Sequence, residues 1–309
     1  MHVVGLDVGG TKIAGGVVEF PGGGVRWLRA IPTRPSRSGQ AVLDDALSLA
    51  RELMAEAEQS GGPVSGIGVG VAETVDPAGN ITSDQTIGWR GMPVQQAFRS
   101  LAPALVESDV RAAAFGEATF GAGQPYRLFL YITVGTGISY SKVQDGRPFA
   151  GARGNALVFA SAPLTTRCTA CGTVLRPVLE EFASGPALVA RYNERAQNAA
   201  AAGQDVTGRA AAGDALATEI VRTAAEALGV SVAWLINSLD PEAVVVGGGL
   251  GVAGGLYWDR FVASTRAHIW AENARDLPVT KALLGADAGV VGAAAAWAAS
   301  CAGRSSQGV

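Results

Sequence analysis

An α/β protein assembled from two copies of one plan is what this sequence predicts, and two observations predict it. A β-rich run, Val3 to Val8, meets the turn Gly9-Gly10 and resumes as a strand from Ile13 to Phe20. A second run, Leu128 to Val134, meets Gly135-Thr136-Gly137 and resumes from Ile138 to Val143. Strand and helix patterns alternate after each, the mark of layered α/β domains. Two such domains imply a cleft between lobes, where ligands commonly bind. At 309 residues the chain is long enough for both. The expected division is a small lobe of residues 1–118 joined by a C-terminal helix of about 290–309, and a large lobe of 119–289.

The elements follow from local signals. A loop rich in Pro, Arg, Ser and Gly runs from Pro32 to Gly39. Leu43, Leu47, Ala50, Leu53 and Met54 recur at helical spacing, predicting a helix from about Gln40 to Gln59 that Gly61, Gly62 and Pro63 end. Ile67 to Val71 reads as a short buried strand, followed by a turn through Asp76-Pro77-Ala78-Gly79-Asn80. Leu105 to Glu107 is another candidate strand, leading into a helix from Val110 to Phe120. Helices are expected over roughly Gly185 to Ala201 and Asp214 to Leu239, then a strand Ala243 to Val246 ending in three glycines.

Composition excludes several functions. The net charge of −3 gives no basic surplus for nucleic-acid phosphates. The N-terminus lacks an export signal, and the alanine-rich tail from Gly289 to Ala302 suits a packed helix better than a membrane span. Three cysteines make no disulfide framework. A cytoplasmic protein is expected.

The opening motif suits a nucleoside triphosphate. Adjacent Gly9 and Gly10 let backbone N–H groups approach phosphate oxygens. Asp7 at the strand end can face a hydrated magnesium ion, while Thr11 and Lys12 offer a hydroxyl and a cation. A plain β-hairpin turn fits the same residues.

Taken in order, the motifs resemble those of the ROK sugar kinases, which have the duplicated ribonuclease H-like domains of the hexokinase/actin-like ATPases. Asp7 to Lys12 resembles that family's first phosphate motif and Leu130 to Gly137 its second. Leu239-Asp240-Pro241-Glu242 through Gly249 resembles the adenosine motif, and Glu180 to Gly185 the segment lining the nucleotide. The resemblance implies ATP and Mg2+ as cofactors. Gly9, Gly10, Gly135 and Gly137 would surround phosphates, with Thr11 and Thr136 donating hydroxyl bonds, and Gly185 would line the nucleotide. Gly248, Gly249 and Leu250 would leave room for adenosine, and Asp7 would position magnesium through water. In the family an Asn-Asp pair opens an alanine-rich helix, its Asp the catalytic base. Asp109, after Ser108, holds that position, where a plain helix cap is the other reading.

Departures from the pattern point at the acceptor. The family's Gly-Ala-x-Gly-x-Ala-Gly-Glu-x-Gly-His segment appears as Gly151 to Ser161. Val158 stands for the Glu that binds sugar hydroxyls, Ser161 for the His that touches sugar and zinc, and Ser108 for the Asn; Gly154 and Asn155 remain. An unpaired hydroxyl costs about 1–3 kcal/mol, so glucose is expected to be a poor substrate. Glu73 replaces a loop glycine and Arg111 a helix Asn; they would read altered hydroxyls, pair with each other, or be solvated surface charges. Trp89 is expected to wall the cleft. Only Cys168 and Cys171 remain of the zinc knot, so no structural zinc is expected.

The combined departures suggest an acceptor unlike glucose at carbons one and two. A seven-carbon cyclitol such as a valiolone, used in specialised metabolism such as antibiotic biosynthesis, is favoured, with kanosamine or glucose as alternatives. A catalytically inactive sugar sensor is the reading from another class. The family's repressors carry a helix-turn-helix ahead of the first motif, and with the first strand opening two residues into this sequence a repressor is not expected. By analogy a homodimer is expected.

Overall fold

The computed structural model describes residues 1–34, 36–163, 166–167, 170–175 and 177–305. The described strands are β1 (His2–Val8), β2 (Lys12–Glu19), β3 (Gly24–Pro32), β4 (Val64–Val71), β5 (Ala104–Ser108), β6 (Leu128–Val134), β7 (Ile138–Gln144), β8 (Arg147–Pro148), β9 (Thr166–Arg167), β10 (Val174–Leu175), β11 (Ala243–Gly247) and β12 (Val279–Lys281). The α-helices are α1 (Gly39–Gln59), α2 (Val94–Arg99), α3 (Asp109–Phe120), α4 (Glu180–Ala183), α5 (Gly185–Asn193), α6 (Gly203–Ala211), α7 (Ala215–Leu239), α8 (Gly249–Val252), α9 (Gly255–His268) and α10 (Ala288–Ser305).

The duplication is visible in the sheets. One has the order β3-β2-β1-β4-β5, the other β12-β11-β6-β7-β8. Numbered by chain order within each sheet, both read 3-2-1-4-5. In the first, β1 and β2 pair antiparallel while β4 and β5 run parallel to β1. In the second, β6, β11 and β12 are parallel and β7 pairs antiparallel with β8. This is the duplicated α/β architecture the motifs imply.

The chain divides into two compact units: Met1–Arg127 with Ser141–Leu157 and the segment from Ala286, and Leu128–Tyr140 with Val158–Gly285. The division thus differs from a boundary after residue 118, because residues 119–127 and 141–157 count with the first unit.

In the first unit, strand alternation sorts side chains between two helical layers. Val4, Leu6 and Val8 of β1 pack with Val42, Leu43, Ala46 and Leu53 of α1. Val3 faces the other way, onto Val290, Ala294 and Trp297 of α10. β4 shows the same division in its composition. Ile67, Val69 and Val71 enter the α1-side core, while the alternate positions are glycine, because the Trp297 ring lies against Gly66, α10 backbone against Gly68 and α3 against Gly70. A Cβ on Gly68 would fall inside the Ala293 carbonyl of α10, and one on Gly70 would press on Ala112 of α3 at 3.3 Å.

The second unit buries Leu130, Ile132 and Val134 of β6 and Val244 and Val246 of β11 against Ile220, Val221, Ala224, Leu228 and Val232 of α7. Sequence periodicity does not anticipate β3, α2, α9 or β12. The helix expected to run to Ala201 stops at Asn193. There the Asn193 amide pairs with both the N–H and the carbonyl of Ala200, closing a loop that competes with further helix. Trp89 is fully buried in the α1-side core, and its indole N–H donates to the Gly39 carbonyl at 2.8 Å. Among the described residues no helix is long and apolar enough to cross a membrane.

The tight seam beside β4 sets an expectation. Gly68→Ala meets immovable backbone, so it should cost at the upper end of the roughly 1–3 kcal/mol typical of overpacking. Ser65→Ala, at a neighbouring exposed position, should leave the thermal midpoint nearly unchanged. Equal midpoints for both variants would contradict this packing.

Candidate active site

The first glycine turn joins β1 to β2. The Gly9 N–H donates to the Lys12 carbonyl at 3.0 Å, closing a tight hairpin. Thr33, just beyond β3 and fully buried, fastens it: its hydroxyl donates to the Gly9 carbonyl at 2.6 Å and its N–H to the Thr11 carbonyl at 3.0 Å. The carbonyls are thereby occupied on the protein side. Thr11 and Lys12 are exposed. Asp7 leaves β1 on the α10 side, against Gly289, where a Cβ would collide with its carboxyl group. Burial raises the Asp7 pKa, and the nearby Lys12 charge offsets only part of the rise.

Asp109 opens α3 directly after β5. Its Oδ1 accepts the Val110 N–H at 2.7 Å. Ser108 is the N-cap residue by backbone geometry, yet its side chain makes no capping bond. Its hydroxyl is buried and has no hydrogen-bond partner in the protein, which is unusual for a buried polar group. Burial first, then the charges of Asp7 and Glu73, lift the Asp109 pKa from the ordinary 3.8 to about 7; the Val110 amide and the Arg111 charge pull the other way. A cap alone does not account for this. Capping favours the ionised form, whereas the surroundings of Asp109 oppose it.

Glu73 and Arg111 are not surface charges and do not pair with each other. Glu73, 6% exposed, accepts the N–H groups of Gln85 (3.0 Å), Thr86 (2.6 Å) and Ile87 (2.9 Å) and the Ser83 hydroxyl. Burial opposes its ionisation, but these bonds outweigh burial and hold its pKa below the ordinary value. Arg111, 1% exposed, donates to Glu107 (2.7 Å) and to the carbonyls of Gly154 and Val75 (both 2.6 Å). Gly154 has φ +81 and lies so close to the Val75 carbonyl that no Cβ fits. One buried guanidinium thus ties three backbone segments together around Asp109. Asn155 is exposed beside the tie.

In the second unit another set of glycines forms its own cradle. The Gly135 N–H donates to the Gly137 carbonyl (3.0 Å), and the Gly135 carbonyl accepts the Gly185 N–H (2.9 Å). Glu180 braces the turn by accepting the Ile138 N–H at 2.7 Å. Gly248, at φ +80, packs on Val134, and Gly135 approaches the Gly249 nitrogen. Thr136 and Gly249 are exposed, so the cradle is open to a ligand. Leu250 is different: its side chain is buried in the second core, which leaves its backbone to offer.

The remaining expected residues are less gathered. Val158 is 46% exposed and Ser161 is exposed. Cys168 lies outside the described residues, and Cys171 is exposed. Thr33 escaped sequence reasoning because the strand before it was not recognised. From sequence, Glu180 stands out only as part of a segment resembling the nucleotide lining.

The ROK family model matches residues 3–300, and the chain belongs to the ROK family. Its enzyme class is that of the ATP-dependent sugar kinases. A glucokinase of Streptomyces coelicolor is 30% identical over 312 residues, covering 94% of this chain and 96% of its own. The ROK hexokinase of Thermus thermophilus superposes with a TM-score of 0.81 at 30% identity, covering 98% of this chain and 100% of its own. A ROK glucokinase from Streptomyces griseus, solved with glucose and AMPPNP, gives 0.79 at 32% identity, covering 95% and 98%.

The raised Asp109 pKa makes a prediction for the nucleotide-free, metal-free protein. The folded chain keeps a proton here that the unfolded chain releases between pH 3.8 and about 7. Stability is therefore lost as pH rises through that window. Asp109→Asn should melt higher than wild type at pH 8, with the gain shrinking towards pH 4. A gain independent of pH would contradict the assignment.

Proposed function

We propose that this kinase transfers the ATP γ-phosphoryl group to a primary hydroxyl of a sugar-like polyol, with Asp109 as general base. The observation that carries the reading is the state of Asp109. It is a carboxylate whose pKa of about 7 suits proton acceptance near neutrality, beside a buried Ser108 hydroxyl that lacks a partner. A bound acceptor hydroxyl would supply that partner. It would place its proton at the Asp109 oxygen not engaged by Val110.

The donor set also fits magnesium. Burial and, at Asp109, the charge of Asp7 raise both pKa values, which the Lys12 and Arg111 charges only partly offset, and a hydrated ion needs only one or two carboxylates. Held through Asp7, Mg2+ would neutralise charge on the phosphate oxygens. On the first unit the Gly10 amide, with Thr11 and Lys12, would serve phosphates, while the Gly9 N–H closes the turn onto the Lys12 carbonyl. On the second unit Thr136 and Gly137 would serve them, in a turn shaped by the Gly135 and Gly185 hydrogen bonds, with Gly248, Gly249 and the Leu250 backbone beside the adenosine.

For the acceptor we favour a seven-carbon cyclitol of the valiolone type. Val158 and Ser161 supply no ionised acceptor where the resemblance expects one. Glu73 and Arg111 cannot replace it, because their polar atoms are engaged by the protein. An acceptor without an anomeric hydroxyl avoids that loss. Kanosamine and glucose are the other acceptors to be tested. The same departures would suit an inactive sensor, but the poised Asp109 supports turnover. A homodimer is supported by the second half of α7, which has no charged residue from Ala227 to Leu239 and exposes Trp234, with exposed Trp270 bonded through its backbone N–H to Asn237 of the same helix. An uncharged face is complemented by an uncharged face, so a second copy is the partner we favour.

ADP release against a panel of cyclitols, kanosamine and glucose tests the reading. The cyclitol should surpass glucose in kcat/KM by about tenfold or more, the equivalent of one lost hydrogen-bond acceptor. Asp109→Asn should lower kcat by roughly 10²–10⁴ without abolishing nucleotide binding. Glucose as the best acceptor would overturn the cyclitol assignment, and binding without turnover in wild type would support the sensor.

A further inference from the structure

Glu73 sits away from the nucleotide turn in sequence, yet its hydrogen bonds lead directly to it. Oε1 accepts from Thr86 and Ile87, and Oε2 from Gln85 and Ser83. Ser83 is bonded in turn by the Thr74 N–H at 2.8 Å. All acceptor capacity of one carboxylate is spent on a five-residue segment that lies in no helix or strand. That segment delivers one side chain to the phosphate turn. The Thr86 Cγ2 lies where a Cβ on Gly10 would stand only 2.6 Å away, so the methyl group backs the Gly10 Cα. Thr33 holds the turn at the Gly9 carbonyl, and Thr86 supports it one residue on.

We propose that Glu73 is a positioning residue for the nucleotide: its carboxylate fixes segment 83–87, and Thr86 on that segment sets the position of the Gly10 amide. The proposal rests on the kinase reading, since it assigns that turn to phosphate. It relocates Glu73 from acceptor recognition to the donor side of the reaction. Gln is close in shape to Glu, but it replaces one acceptor oxygen with an NH2 group facing amide donors. Loosening should therefore follow without loss of volume.

The test is a double-mutant cycle on Glu73→Gln and Thr86→Ala, read by binding of a fluorescent ATP analogue with Mg2+ and by steady-state kinetics. Each single variant should weaken nucleotide binding and raise KM for ATP on the order of tenfold, with KM for the acceptor changed far less. The double variant should be little worse than either single, because both act through one contact. A merely structural Glu73 would lower the melting temperature and leave the two KM values in their wild-type ratio. That result, strict additivity, or a selective rise in acceptor KM would overturn the proposal. If Glu73→Gln does not fold, Thr86→Ala decides alone, an unchanged nucleotide affinity counting against the proposal. The binding assay needs no acceptor, so failure of the kinase reading, seen as wild type that binds the analogue without turning over, is distinguishable from failure here.

Discussion

Backbone meeting backbone is the constraint on which the first unit depends. Gly5 of β1 lies against the Val290 carbonyl, Gly68 of β4 against that of Ala293, and Gly292 of α10 against that of Ala112 in α3. No side chain larger than hydrogen fits at these three crossings. Helix α10 is therefore locked at once to two strands and to the helix that carries Asp109. Asp7 ends the strand so held and Asp109 begins the helix so held. Two carboxylates are thus brought within range of each other's charge by packing that is made chiefly of backbone. Their mutual repulsion is a cost imposed by the rest of the fold, and such costs cluster at functional sites.

Three acidic residues near one another show how surroundings assign roles. Glu73 is surrounded by donors, stays ionised and is spent on structure. Asp109 has one amide, two like-charged neighbours and little water, so it holds its proton more tightly. Asp7 is intermediate, with Lys12 as partial compensation. Only a group left short of partners is free to exchange a proton with a substrate. Arg111 completes the arrangement: its charge is absorbed by Glu107 and two carbonyls, and its main product is a rigid frame.

Much of this was legible in the sequence because it is periodic or glycine-marked. The two strand–turn–strand openings announced the duplication, and β6 matched its expected range residue for residue. The alternating glycines of β4 were present in the sequence, but their meaning was not, since it depends on α10 more than 200 residues away. β3 was obscured by its interleaved arginines and half-buried edge, so Thr33 went unnoticed. Glu73 and Arg111 were recognised as departures, but their partners are backbone atoms of distant loops. Sequence shows that a charge is present; only the fold shows whether it is already spent.

With one amide donor and two like-charged neighbours, Asp109 is left poised to take a proton near neutrality. Carbon-13 NMR titration of the aspartate carboxyl carbons, with the signal assigned by its loss in Asp109→Asn, measures this directly. A midpoint of about 7 is expected for the nucleotide-free protein. A midpoint in the ordinary aspartate range, near 3.8, would contradict it.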